Sequence, residues 1–324
     1  MSAPAAARRP CASRVQRLRA VKAAVRDSVA TDVAKVEDVL DHSLGGGKGL
    51  RALVAHVSCD WCGVPLEDCN EIAAAMEMIH VAALLHDDIV DQAEMRRERP
   101  SANRVFGAEA AVLAGDFLYS RASQLLCRAG SQPLLAAVAD ATNLLAEGEV
   151  MQLAARGAAP SREEYYRIIG RKTAALFAAC AMAGPVLVQD EPMRERLRTY
   201  GESLGLAFQI TDDCLDYAGA EEHTGKLPGR DFAEGKVTLP LLYAREDGTK
   251  AQRAELDRLF AARAAADSFA AVRGLLEETG ALERAREDAR EHAARAAAAV
   301  EEIDDSNWAR MLARLGTAAV DRLG

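Results

Sequence analysis

The chain has 324 residues, half of them apolar, 5% aromatic and 27% charged, with a net charge of −9. That balance excludes a nucleic-acid partner held by clustered Lys and Arg, and no apolar run approaches the ~18–20 residues a membrane-spanning helix needs. Seven cysteines, an odd number, do not make a disulfide framework in a chain this long.

The amino terminus carries arginine, lysine, alanine and serine but no acid before Asp27. Organellar transit peptides and disordered tails share that composition. A disordered tail over residues 1–20 of a cytoplasmic protein is the reading adopted, with one domain over 21–324. A secretory signal is not expected, because no apolar segment follows the arginines. Next comes LGGGKGLR, a glycine-rich turn bearing Lys48 and Arg51. His56, Cys59 and Cys62, with Cys69 beyond, could ligate zinc or simply pack along an apolar helix. Packing is favoured, since one continuous helix seldom offers three ligands to a tetrahedral ion.

Helical patterns then follow over 66–91, 108–128, 162–188 and 194–217. Ser161 and Glu164 form a capping box that opens the third. Pro65, Pro100, Pro133, Pro160, Pro192 and Pro228 punctuate these patterns. Much of the apolar content is alanine, which favours helix, and no alternating strand pattern is evident. The expectation is a single all-α domain of about a dozen helices.

Two stretches carry the chemistry. LLHDDIVD sets Asp87, Asp88 and Asp91 among leucine, isoleucine and valine, and QITDDCLDY repeats the spacing with Asp212, Asp213 and Asp216. On a helix the first and last aspartates of each triplet share a face, with the middle one beside them. A solvated acidic face would explain one such triplet. It explains two poorly, because both lie in apolar segments where unpaired carboxylates lose hydration and repel one another. Cations resolve the conflict. Carboxylates suit Mg²⁺, which binds one or two of them together with substrate phosphates.

Lys48 and Arg51, Arg96 and Arg97, and Lys226 and Lys236 add positive charge near these motifs. Each alone is a weak signal. Together they exceed what one diphosphate needs and point to two. No GxSxG elbow, Walker A loop or HExxH is present. A site without a nucleophile suits a reaction in which diphosphate leaves and a carbocation forms.

From about residue 21 to the C-terminus the sequence resembles the trans-isoprenyl diphosphate synthases. The resemblance rests on GGGKGLR, EMIHVAALLHDDIVDQAEMRRERPSAN, GDFLYSRA, GRKTAALF, FQITDDCLDY and GKLPGRDFAEGKVTLPLL. It implies an all-α bundle around a deep central cavity, in a homodimer. It also implies head-to-tail elongation of an allylic diphosphate by isopentenyl diphosphate. Carried onto this chain, Asp87, Asp88, Asp91 and Asp212, with Asp213 and Asp216 in support, would hold about three Mg²⁺ around the allylic diphosphate. Arg96, Lys172 and Lys226 would complete that site. Lys48, Arg51, His80 and Arg97 would bind isopentenyl diphosphate. Thr173 and Gln209 would face the allylic cation, with Asp231 an outer-sphere metal partner and Lys236 a second lysine. Released diphosphate would accept the proton. Three positions depart from the family pattern: Gly49 for a basic residue, Ala52 for proline and Glu98 for glycine.

Short-chain members place bulky aromatics four and five residues before the first aspartate, where this chain has Ala83 and Ala82. One helical turn rises about 5.4 Å, comparable with one isoprene unit, so the small residues predict a long product of roughly seven to ten units, as in quinone side chains. The alternatives are a short-chain geranylgeranyl or farnesyl diphosphate synthase, a class I terpene cyclase, and a non-catalytic subunit. A cyclase would carry an NSE-type second motif and have no use for Lys48 and Arg51. A non-catalytic subunit would have lost an aspartate cluster.

Overall fold

The computed structural model describes residues 12–44, 46–97, 99–218, 229–263 and 267–323. Cα packing divides the chain into two compact units. The first comprises Met1–Asp140, Ala179–Arg198 and Ile303–Leu312; the second comprises Ala141–Ala178, Thr199–Glu302 and Ala313–Gly324. Each is described by itself.

In the first unit, α1 (Arg14–Ser28) starts at a capping box. The Ser13 hydroxyl accepts the Gln16 N–H, and the Gln16 side chain accepts the Ser13 N–H. The tail expected over residues 1–20 is therefore corrected: residues 14–20 are helical, while 1–11 lie outside the described residues. Arg17 anchors this helix from a buried position. Its guanidinium donates to Asp60 (2.6 Å), to His56 Nδ1 (2.8 Å) and to the Ala12 carbonyl (3.1 Å). Trp308 donates to the same Asp60 carboxylate at 3.0 Å, and Asn70 meets the other His56 nitrogen at 3.1 Å. His56 thus turns towards Arg17 and Asn70. Cys59 and Cys69 are fully buried, with the Cys69 thiol bonded to the Val64 carbonyl at 3.4 Å.

After α2 (Ala34–Leu44) and α3 (Leu50–Trp61) comes α4 (Leu66–Val90). It has no single apolar stripe, because Ile72, Ala73, Ala74, Ala75, Met76 and Met78 bury it on several sides. It packs on α1, α3 and α6 (Ala108–Arg128). Between α4 and α6 lie α5 (Ala102–Phe106) and a small antiparallel ladder, β1 (Met95–Arg96) with β2 (Arg99–Pro100). Two-residue strands are too short to register as alternation in a sequence.

The second unit holds most of α7 (Gln132–Ala154), then α8 (Arg162–Ile169), which the Ser161 capping box opens as expected. The single helix expected over 162–188 is interrupted. A π-helical turn, Gly170–Ala174, separates α8 from α9 (Ala175–Val188). One widened turn leaves the apolar periodicity almost unchanged, so the pattern could not reveal it. The same stretch, Arg162–Val188, is by length and composition apolar enough to cross a membrane, contrary to the expectation that no run is. Of its most apolar window, 67% is buried within the protein. Helix α10 (Glu191–Ala218) begins before residue 194, because Pro192 sits in the first turn, where no N–H is needed. Beyond α11 (Arg230–Ala233), α12 (Leu239–Asp247), α13 (Lys250–Ala261) and α14 (Ser268–Glu278), α15 (Ala281–Glu301) lays Ala281, Ala285 and Ala289 against α12. Small residues at this spacing let the two helices approach closely. The chain closes with α16 (Asn307–Val320) and a 3₁₀ turn, Asp321–Leu323. The protein is all-α.

Candidate active site

In the first unit the site is built on the last three turns of α4. Residues 80, 84, 87 and 91 recur at helical spacing, so His80, Leu84, Asp87 and Asp91 share one face, and each is partly exposed. Asp88, one step round the helix, is buried and held by Arg96, whose Nε donates at 2.9 Å. Three carboxylates in the last turn and C-cap of a helix meet the negative end of its dipole. That arrangement calls for cations, and Arg96 supplies one.

The basic groups converge on the same helix. Arg51 Nη1 lies 3.2 Å from His80 Nε2. Burial, followed by the charges of Arg51, Arg97 and Arg96, pushes His80 well below the usual histidine range, so its ring is neutral at physiological pH. Arg97 lies in the connection between β1 and β2 with a left-handed backbone (φ 52°), and its guanidinium lies against Gly46 and Gly47. A Cβ at Gly47 would stand 2.6 Å from Arg97 Nη2 and one at Gly46 3.0 Å from its Cδ, so these two glycines make room for the side chain. Gly49 is itself left-handed (φ 57°), and a Cβ there would meet Leu18 at 2.8 Å. A basic residue is therefore strained at this position, which accounts for one departure from the family pattern. Ala52 is buried in α3. A cavity of about 200 Å³ beside Arg96, Arg97, Arg99 and Asp88 reaches Gly46 and Leu84. Lys48 is exposed at the mouth of α3. Glu98 lies outside the described residues.

The second unit holds the remaining described residues singled out in the sequence. The π turn aims Lys172 at Glu149 (2.6 Å) and Gln152 (2.8 Å) of α7, and Thr173 donates to Gln209 Oε1 at 2.7 Å. Gln209 in turn donates to Asp213 at 2.8 Å, and Tyr165 donates to the other Asp213 oxygen at 2.7 Å. Asp213 is thus buried and enclosed by neutral donors. Burial, then the charge of Asp231, pushes its carboxyl up to about 8. Asp212 is partly exposed and lies 2.9 Å from Arg322, which also stacks over Phe208. Asp216 accepts the backbone N–H groups of Arg230 (3.1 Å) and Asp231 (2.9 Å), capping α11. Lys236 pairs with Glu234 at 2.6 Å and stands 4.0 Å from Asp231. Lys226 lies outside the described residues.

Among the described residues no three His, Cys, Asp or Glu side chains converge tightly enough to enclose a metal ion. The donor set nevertheless suits Mg²⁺, which takes one or two carboxylates and completes its shell with water and substrate phosphate. Sequence reasoning missed Glu77, Tyr165 and Arg322. Glu77 could have been found as an acid one turn before His80 in an otherwise apolar helix. Tyr165 and Arg322 are far from their partners in sequence and left no signal. Ala82 and Ala83, read alike from the sequence, differ in setting: Ala82 is wholly enclosed, while Ala83 is 5% exposed.

The polyprenyl synthetase family profile matches residues 33–276. The octaprenyl diphosphate synthase of Escherichia coli K12 is 38% identical over 310 residues, covering 95% of this chain and 96% of that one. Among solved structures, a decaprenyl diphosphate synthase from Rhodobacter capsulatus superposes with a TM-score of 0.90 at 34% identity, covering 96% of this chain and 97% of that one. A polyprenyl synthase from Caulobacter crescentus CB15, complexed with calcium and isoprenyl diphosphate, gives a TM-score of 0.90 at 37% identity, covering 98% of this chain and all of that one.

Proposed function

We propose, for a chain that belongs to the polyprenyl synthetase family, a long-chain all-trans polyprenyl diphosphate synthase that extends an allylic diphosphate with isopentenyl diphosphate. It is a prenyltransferase. The observation that carries the assignment of residues is the shared face of α4. His80 and Asp87 are seven residues apart, which is about 10 Å along a helix axis. One rigid element thereby presents a basic subsite and an acidic one at the spacing two adjacent diphosphates require.

In this reading Lys48, Arg51, His80 and Arg97 bind isopentenyl diphosphate. Asp87, Asp91 and Asp212, with Asp88, Asp213 and Asp216 behind them, take Mg²⁺ with the allylic diphosphate. Bound Mg²⁺ supplies the positive charge that makes diphosphate a leaving group. Arg96, Lys172, Lys226 and Lys236 neutralise the remaining phosphate charge. Thr173 and Gln209, bonded to each other at 2.7 Å, present oxygen lone pairs that stabilise a developing allylic cation without attacking it. We take the working form to be a homodimer. Val112 and Leu113, 38% and 63% exposed on α6, support that reading, and light scattering should give twice the 34.7 kDa chain mass.

The test is incubation with radiolabelled isopentenyl diphosphate, farnesyl diphosphate and Mg²⁺, with products sized by reverse-phase chromatography. Products of about seven to ten isoprene units are expected from the small residues one turn below Asp87. Products that stop at three or four units would make this a short-chain enzyme, and no incorporation would remove the assignment.

A further inference from the structure

Arg322 brings a cation from the last turn of the chain onto the second aspartate triplet. Its Nη2 lies 2.9 Å from Asp212 Oδ1, and its Nε donates to the Ala319 carbonyl at 3.2 Å. Its guanidinium carbon stands 4.9 Å from the centre of the Phe208 ring, one turn before Asp212 on α10. All four residues belong to the second unit. The side chain is thus held at three points, yet the ion pair itself is loose. Nη2 is buried but makes no directed hydrogen bond among the described residues, and the two side chains stay 26% and 31% exposed.

Asp212 is also an outer carboxylate that the reading above gives to Mg²⁺. A carboxylate that already faces a guanidinium attracts a second cation less, because the two cations repel each other. Mg²⁺ alone, which gives up its waters reluctantly, then gains little at Asp212. A diphosphate changes the balance. It offers a guanidinium more negative charge than a carboxylate does, in oxygens that a planar fork can take two at a time. The Phe208 ring holds Arg322 by its flat face and leaves its N–H edge able to turn between the two anions. A diphosphate that shares a metal with Asp212 lies within one ion's breadth of it, so the turn is short.

We propose that Arg322 is an exchangeable counter-ion of the second triplet, pairing with Asp212 against Mg²⁺ alone and passing to the allylic diphosphate when metal and diphosphate bind together. The proposal rests on the reading that Asp212 takes Mg²⁺ with that diphosphate. Its consequence is cooperative binding, in which metal and diphosphate each raise the other's affinity.

The experiment uses the full chain and Mn²⁺ in place of Mg²⁺, with free Mn²⁺ counted by its electron paramagnetic resonance signal. Arg322→Gln should bind Mn²⁺ about three- to fivefold more tightly than wild type, the modest gain expected from removing a partly exposed pair. That gain should vanish in an Asp212→Asn background. In the presence of metal, farnesyl thiodiphosphate, an allylic analogue that ionises poorly, should bind Arg322→Gln about tenfold more weakly than wild type, for want of a charged donor. Arg322→Lys keeps the charge without the planar fork, so it should match wild type for Mn²⁺ and still bind the analogue more weakly. Equal Mn²⁺ affinity of wild type and Arg322→Gln would overturn the competition, and equal affinity for the analogue would overturn the transfer. Asp212→Asn separates the two levels. If it leaves Mn²⁺ stoichiometry and affinity unchanged, Asp212 is no metal ligand, and this proposal falls with that reading. If it removes a Mn²⁺ site while Arg322→Gln binds both probes as wild type does, only the role of Arg322 falls.

Discussion

The two aspartate triplets have the same spacing and opposite inner solutions. In both, the outer aspartates are partly exposed and the middle one is buried. Asp88 is met by a cation, the Arg96 guanidinium at 2.9 Å. Asp213 is met by neutral donors, Tyr165 and Gln209, and rises to about 8. A repeated motif thus divides its work by position and not by residue type. The outer carboxylates stay partly exposed, whereas each middle one is buried and held by side chains of its own unit, Arg96 for Asp88 and Tyr165 with Gln209 for Asp213.

The sharpest way to break that division is to remove the outer groups. Asp87→Ala and Asp212→Ala should each lower turnover by about 10³-fold or more, since leaving-group activation is the largest electrostatic contribution here. Circular dichroism and the thermal midpoint should be nearly unchanged, because neither side chain is buried. Unfolding of either variant would make the outer positions structural, and near-normal turnover would end the ligand assignment.

Substituting the middle positions should cost less activity and separate the two helices. Asp88→Asn and Asp213→Asn should each lower kcat by about 10–100-fold, the range for partners that orient a ligand shell. Stability measured with metal chelated should distinguish them. A carboxyl raised from 3.8 in the unfolded chain to about 8 in the fold contributes stability that is complete below pH 4. That contribution is lost as pH rises through 8. Wild type should therefore lose stability between pH 4 and 8 relative to Asp213→Asn, read as a falling urea midpoint. Parallel curves for the two proteins would show that Asp213 is ionised in the fold.

Much of this arrangement was legible beforehand. The helix over 108–128 and the Ser161 cap stand as the periodicity and the capping box predicted. Both are local signals, set by residues within one turn. The aspartate faces followed from spacing alone. What escaped depends on contacts distant in sequence or on one altered turn. Arg17 is buried because Asp60 and His56 receive it, and no local pattern in a basic, alanine-rich stretch announces that. The π turn that carries Lys172 and Thr173 widens a single helical turn, below what apolar periodicity resolves. The Tyr165 hydroxyl that donates to Asp213 comes from 48 residues away, and no local pattern announces it.

The same comparison extends one turn below each triplet, where the expected effect is on product rather than rate. Four residues before Asp212 stands Phe208, packed on Phe177 with ring centroids 5.7 Å apart. Four residues before Asp87 stands Ala83. If the growing chain runs along the face shared by His80, Leu84 and Asp87, Ala83→Phe should close it one turn, about 5.4 Å, below the aspartates. Product should then shorten to roughly three or four isoprene units while the first condensations keep rates within a few-fold of wild type. Ala82→Phe is the control, because Ala82 is wholly enclosed and a ring there must displace packed neighbours at a cost of about 1–3 kcal/mol. It should lower the thermal midpoint more than it changes product length. A stable, active Ala83→Phe enzyme with unchanged products would put the tunnel floor elsewhere. Shortening by Ala82→Phe without loss of stability would instead show that the chain grows along the neighbouring face of α4.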